Sequence, residues 1–325
     1  MAEQSNIAAH IERHWYGSAL GNLWLLPLWC IFVLVSGLRR LWYRMLPVKN
    51  LGVPVLVIGN IAIGGTGKTP LITYLAKRAG ELGLRVGIVS RGYGGQSETY
   101  PLNVTAETPV SQSGDEPKLL TRTGCPIVVD PKRSRAVQFL KDDVDLVLSD
   151  DGLQHYAMAR AGEIVVSDVT RGFGNGWQLP IGPLREPISR LNSVDLCLVN
   201  GEDFIVQPVA LVNANTGEQA KLDTFSNKSV HAIAGIGNPA RFFTTLKTLG
   251  YMVEEHAFAD HHAFVKKDIT FSDVLPVVMT EKDWVKCREF SNDNTWFLQV
   301  DAQPTADAAQ KIDELLIRLG TPAHG

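Results

Sequence analysis

Between Pro47 and Asn200 the chain alternates short apolar runs with longer amphipathic stretches. The runs are VPVLVIGN (53–60), RVGIVSRG (85–92), PIVVD (126–130), VDLVLSDD (144–151), EIVVSDV (163–169) and VDLCLVN (194–200). Each is rich in Val, Ile and Leu, the pattern of strands buried on both faces. TPLITYLAKRAGELG (69–83) has helical periodicity instead. Strands of this kind separated by helices predict a doubly wound, mainly parallel α/β sheet over residues 50–200. A second, smaller α/β unit is predicted over 201–325. There SVHAIAGIGNP (229–239) reads as strand then loop, and PARFFTTLKTLG (239–250) as a helix ending at glycine. LPVVMT (275–280) and TWFLQV (295–300) read as further strands, and DAAQKIDELLIRLG (307–320) as a closing helix.

The first 49 residues follow a different pattern. Residues 15–38, WYGSALGNLWLLPLWCIFVLVSGL, carry no charge. An apolar stretch of this length is long enough for a bilayer core and too long for the apolar region of a signal peptide. Trp15, Tyr16, Trp42 and Tyr43 flank it as interfacial aromatics do, and Arg39, Arg40, Arg44 and Lys49 follow it. That charge bias puts the C-terminal side in the cytoplasm. Pro27, Gly21 and Gly37 interrupt the stretch, so a helix lying in the interface competes with a true span. A buried helix of a soluble fold is the plain alternative.

Composition narrows the class. The chain has 325 residues, 45% of them hydrophobic and 20% charged, with net charge −3. That size supports a large core, and that charge gives no reason to expect nucleic-acid binding. Cys30, Cys125, Cys197 and Cys287 are scattered without a C-x-x-C, which argues against a disulfide framework or a zinc site. His10 and His14 have i,i+4 spacing but no nearby third ligand.

The first apolar run leads into Ala62-Ile63-Gly64-Gly65-Thr66-Gly67-Lys68-Thr69 and then into the predicted helix. Strand, glycine-rich loop and helix in that order make a phosphate-binding loop. Backbone N–H groups close around phosphates, Lys68 reaches their oxygens, and the Thr69 hydroxyl joins a Mg²⁺ shell. Ala62 stands where the usual pattern has glycine and is small enough to do so. Asp150 and Asp151 end an apolar strand, where a nucleotide-binding fold places its second metal anchor, although Asp-Gly is also a turn dipeptide. Regulatory ATPases with a related loop carry a lysine where this chain has Ile63. The guanine-reading segment of GTPases has no match, since NGED (200–203) holds Gly201 at the lysine position. A kinase needs a group for the acceptor hydroxyl and cations for the transferring phosphoryl. Candidates are Asp115 and Glu116 in SGDEP, Asp260, His261 and His262 in FADHHAF, Arg91 in SRGYGG, Arg133 and Arg135 in DPKRSRA, and Arg185-Glu186 closing GNGWQLPIGPLREP.

Together GNIAIGGTGKTP, SRGYGG, GDEP, DDGLQH, GNGWQLPIGPLREP, FADHH and TEKDWVK resemble, in order, the tetraacyldisaccharide 4′-kinases of lipid A biosynthesis. The resemblance implies transfer of the γ-phosphoryl of ATP to the 4′-hydroxyl of a tetraacylated glucosamine disaccharide 1-phosphate. It implies a location at the cytoplasmic face of a bacterial inner membrane, with the lipid as partner and no obligate protein partner. By motif, Asp115 activates the hydroxyl and His261, rather than His262, supports it. Lys68 and Asp151 complete the catalytic set. Thr69, Glu116, Asp150 and Gln154 order Mg²⁺. Ile63 to Thr69, Tyr93, Arg133 and Arg185 contact phosphate or substrate. Two alternatives remain: a membrane-anchored regulatory ATPase with no covalent product, and a kinase for a soluble metabolite.

Overall fold

The computed structural model describes residues 10–47 and 49–320. Residues 1–9 and 48 of the predicted N-terminal segment, and 321–325 of the predicted second unit, lie outside the described residues. The strands are β1 (Val55–Gly59), β2 (Val86–Ser90), β3 (Leu102–Val104), β4 (Ile127–Val129), β5 (Leu146–Asp150), β6 (Gly162–Asp168) and β7 (Leu196–Asn200). They continue with β8 (Phe204–Asn213), β9 (Gln219–Ala220), β10 (Ser229–Ala234), β11 (Met252–Ala257), β12 (Val277–Thr280) and β13 (Thr295–Pro304). The helices are α1 (Leu26–Met45), α2 (Lys68–Glu81), α3 (Val110–Ser113), α4 (Asp115–Leu120), α5 (Arg133–Leu140), α6 (Pro239–Thr248), α7 (Glu281–Cys287) and α8 (Ala306–Gly320).

All the strands join one sheet, in the order β11-β10-β12-β13-β8-β7-β6-β1-β5-β2-β4-β3, with β9 beside β8. From β7 to β4 every pairing is parallel. Strands β1, β2, β4, β5 and β6 are buried along their whole length, which is why they read as unbroken apolar runs. Successive residues of β1 enter opposite layers: Leu56 and Ile58 pack with α2, Val55 and Val57 with the α5 layer. The expected mainly parallel, doubly wound sheet is therefore present.

Strands β8 and β13, antiparallel and each ten residues long, join the two parallel halves. Pro208 sits within β8 where the register skips Val209, an irregularity that accommodates a residue without an N–H. Helix α8, though late in the sequence, buries Ile312, Leu315, Leu316 and Leu319 against the same layer as Leu56 and Ile58 of the nucleotide half. Among the described residues, one helical stretch, Ala19–Met45, is long and apolar enough to cross a membrane, and only 11% of its most apolar window is buried.

Candidate active site

The phosphate loop leaves the carboxyl end of β1, beside the carboxyl end of β5: Ile58 lies opposite Asp150. Parallel order thus brings residues 62–69 and 150–151 together although some 80 positions of sequence separate them. Gly67 caps α2 with φ +88°, a conformation that side chains adopt at a cost. The first turn of α2 then presents its positive end to the loop. The Thr66 hydroxyl is buried without a hydrogen-bond partner. Ile63 differs from its neighbours, because its N–H donates to the Pro183 carbonyl (3.0 Å) and it is not among the loop's free donors. Ala62 bridges to Leu184, so the GPLREP segment braces the loop's entry. Gly67→Ala is expected to weaken ATP binding and destabilise the fold by about 1–3 kcal/mol. A Cβ there meets Asn200 Nδ2 at 3.0 Å and Val206 Cγ2 at 3.1 Å, in addition to the strained φ. Nucleotide titration and thermal unfolding check this, and an unchanged variant would show that the loop tolerates a side chain.

At the tip of β5, Asp150 is buried and Asp151 takes a left-handed φ of 45°. That turn aims the Asp151 carboxylate back at the loop, 3.5 Å from Lys68 Nζ and 3.0 Å from Arg185 Nη1. Burial works to raise the Asp151 carboxyl, but Lys68 and Arg185 outweigh it and hold it below its ordinary value. Asp150 moves the other way. Burial first, then the nearby Glu116 and Asp151 carboxyls, push it up to about 7. Its Oδ1 has no hydrogen-bond partner. Three carboxyl groups crowded beside a phosphate loop, two of them (Asp150 and Asp151) with a buried oxygen lacking a hydrogen-bond partner, suit a divalent cation with oxygen ligands. Arg133 is engaged at the strand tip: its Nη2 donates to the Asp150 and Asp151 carbonyls (2.8 and 3.0 Å) and holds the tip in shape. The Gln154 side chain is also engaged, donating to Asn60 O and Glu186 Oε1 and accepting from Arg185 at 3.3 Å.

The facing wall is built from α4 and the loop after β11. Gly114 precedes α4 with φ +84°, and a Cβ there would lie 2.4 Å from the Tyr93 carbonyl. The glycine therefore lets the SRGYGG loop lie directly on the start of α4. Asp115, the first residue of α4, is 5% exposed, and its Oδ2 lies 3.1 Å from His261 Nδ1. His261 has φ 58° and its ring meets Tyr93 edge-on at 5.4 Å. His262 instead pairs with Asp268 at 3.0 Å, away from Asp115. Lys282, at the start of α7, lies 3.8 Å from Asp115, 3.5 Å from Glu116 and 3.9 Å from Asp260. Burial alone would lower the Lys282 ammonium, but the carboxylates overcome it and raise it.

Between the walls a cavity of about 330 Å³ runs from Gly65–Pro70 to Val206, Ile236 and Phe242. Glu116 and Lys282 line it from the α4 and α7 side. Lys282 carries no signal that residue reasoning alone singles out: it is one lysine in TEKDWVK, a charged helix start, and only the fold brings it to Asp115. Arg171 was equally silent, yet its guanidinium sits over the Tyr16 ring and would be 2.9 Å from a Cβ on Gly64.

The chain matches the family model described as tetraacyldisaccharide-1-P 4′-kinase over residues 21–317. It is 44% identical to the tetraacyldisaccharide 4′-kinase of Hahella chejuensis over 329 aligned positions, covering 96% of this chain and 97% of that one. It is 51% identical to the Pseudomonas putida protein of the same name, over 82% of this chain and 84% of that one. Its fold superposes on the crystal structure of LpxK from Aquifex aeolicus in complex with ATP with a TM-score of 0.79, at 25% identity, over 91% of this chain and 98% of that one. On the strength of this near full-length agreement in sequence and fold, the chain belongs to the tetraacyldisaccharide 4′-kinase family.

Proposed function

We propose that the protein transfers the γ-phosphoryl group of ATP to the 4′-hydroxyl of a tetraacylated glucosamine disaccharide 1-phosphate at a membrane surface, giving the bis-phosphorylated lipid A precursor. The observation that carries the reading is the Asp115–His261 pair (3.1 Å), which joins a helix start in one half of the sheet to a loop in the other and whose sequence neighbours Glu116 and Asp260 line the cavity of the phosphate loop. A regulatory ATPase has no need of a buried acid paired across its cleft. In this assignment Asp115 accepts the proton of the 4′-hydroxyl, and His261 orients that carboxylate and shares its charge. Lys282 gathers Asp115, Glu116 and Asp260 around one cation. Lys68 meets the charge that builds on the transferring phosphoryl. Thr69, Glu116 and Asp150 are the groups that would hold Mg²⁺, which supplies further charge neutralisation at the phosphate oxygens. Arg185 and Gln154 position Asp151, and Tyr93 flanks His261 at the acceptor side. The test is transfer of radiolabel from γ-labelled ATP to a lipid A disaccharide acceptor; ATP consumed with no label in lipid would sink the assignment.

The N-terminal helix is assigned to the membrane surface rather than to a free span. Trp29, Phe32, Val33, Ser36, Gly37, Arg40 and Tyr43 form a partly buried stripe along α1. Near its two ends, Trp29 meets Trp177 at 5.1 Å and Tyr43 meets Tyr156 at 6.2 Å. A helix resting on the body along its length is oriented to lie in the interface, with Leu34, Leu38 and Trp42 outward. The preceding segment reaches the active site, because Tyr16 donates to the Ile63 carbonyl at 3.1 Å. Deleting residues 1–46 would therefore disturb the loop as well as the anchor. The double variant Leu34→Glu/Leu38→Glu separates the two roles. Each buried leucine contributes about 1.5–3 kcal/mol, so vesicle binding is expected to fall at least tenfold while ATP binding holds. Unchanged flotation with vesicles would remove α1 from the membrane.

A further inference from the structure

A second cluster of chemistry-bearing side chains lies at the β11 edge of the sheet, among residues to which the kinase assignment gives no role. His231 of β10 and Glu254 of β11 are register partners, and His256 follows two residues on, so all three share one face of the sheet. His231 is buried, Glu254 exposed and His256 between. His231 Nδ1 lies 3.1 Å from His256 Nε2 and 3.3 Å from Glu254 Oε2. The donor atoms of all three converge within 4.8 Å of one another. Four ligands about 2.0–2.1 Å from a zinc ion stand roughly 3.3–3.4 Å apart along each tetrahedral edge, close to these separations.

The surroundings set the tautomer. His231 Nε2 faces the Asp273 carboxylate at 3.0 and 3.2 Å, and Asp273 also accepts from the Leu275 N–H at 3.0 Å. An imidazole that donates from Nε2 to a carboxylate keeps its lone pair on Nδ1, and this carboxylate–histidine arrangement is how proteins orient metal-bound histidines. That lone pair points at a second imidazole nitrogen and at a carboxylate oxygen. The His256 Nε2–H can donate to that lone pair, but the Glu254 oxygen cannot, and two acceptors repel unless a cation stands between them. That hydrogen bond leaves the carboxylate unanswered, whereas a metal ion meets all three donor atoms. Phe271 stacks on His231 at 3.6 Å and tilts over His256 at 4.6 Å, giving the pair an apolar cover on one side.

We propose that His231, Glu254 and His256 form a site for one divalent transition-metal ion, best matched to Zn²⁺, with Asp273 as the positioning residue and a fourth position open to solvent. Such an ion ties the edge strand β11 to β10 and holds the start of the loop that carries His261. The experiment uses the full chain in detergent, stripped with a chelator and titrated with Zn²⁺ against a chromophoric competitor. Wild type is expected to bind one more Zn²⁺ per chain than Glu254→Gln/His256→Gln. Asp273→Asn is expected to bind that ion about 10–100-fold more weakly. Co²⁺ in the same site is expected to give visible absorption of tetrahedral type that the double variant lacks. Circular dichroism monitors folding, and His256→Gln alone, on an edge strand, gives the same comparison if the double variant unfolds. Equal Zn²⁺ uptake and affinity in wild type and His256→Gln would overturn the site and leave His231 and His256 as a hydrogen-bonded pair.

Discussion

Lys68→Ala is expected to lower kcat by about 10²–10³-fold, equivalent to roughly 3–4 kcal/mol of transition-state stabilisation. Lys68 opens α2, and its recorded ion partner is Asp151 at 3.5 Å. Asp151 keeps Arg185 at 3.0 Å when Lys68 is removed, so its carboxylate does not become an unpaired buried charge. The damage should therefore appear in phosphoryl transfer and not in folding. Single-turnover transfer to lipid, read beside thermal unfolding, distinguishes the two. A near-normal rate would mean that the loop holds nucleotide without assisting the chemistry.

Asp115→Asn is expected to lower kcat by about 10²–10⁴-fold with little change in ATP affinity, because the proton of the acceptor is its target. The asparagine keeps the shape of the side chain at the start of α4 and removes the acid–base function. His261→Gln should cost less, since His261 acts through Asp115. The double variant should lose little more than Asp115→Asn alone, as residues working as one unit are not additive. Steady-state kinetics with ATP and lipid varied separately checks both points. If ATP affinity collapsed while turnover held, Asp115 would be a nucleotide ligand and the acceptor base would lie elsewhere.

The parts most legible in the sequence were those whose chemistry is local. A phosphate loop must be glycine-rich, follow a strand and open a helix, and all three requirements fall within twenty residues. The acid pair ending VDLVLSDD was suspect for the same reason, although Asp-Gly is also a turn dipeptide, and parallel pairing puts it beside the end of the loop's strand. Helix and strand runs buried on both faces were also plain, because continuous apolar composition has few other solutions. Strand β8 was not marked, since FIVQPVALVN mixes polar residues with a proline, and only its partner β13 and the skipped residue at Val209 make the pairing possible. Arg133 reads as a phosphate contact by residue type, yet its bonds to two backbone carbonyls assign it to the strand tip.

Long-range placement was illegible for a physical reason. Side chains that meet across a cleft are joined by the whole sheet, and their sequence neighbourhoods carry no trace of the meeting. Residue reasoning left Asp115 and His261 separately suspect and only the family resemblance paired them; the 3.1 Å contact itself depends on the β8–β13 pair that ties the two halves together. Lys282 gains its role only because α7 follows β12 into that cleft. The apolar N-terminus raised the expectation of a membrane through composition alone, whereas the face it lays against the body follows from the contacts of Trp29 and Tyr43. Composition and periodicity record what each segment must bury, and so they specify elements and a loop. Which segments face each other is set by the packing of all of them at once, and that is what brings Asp115, His261 and Lys282 together.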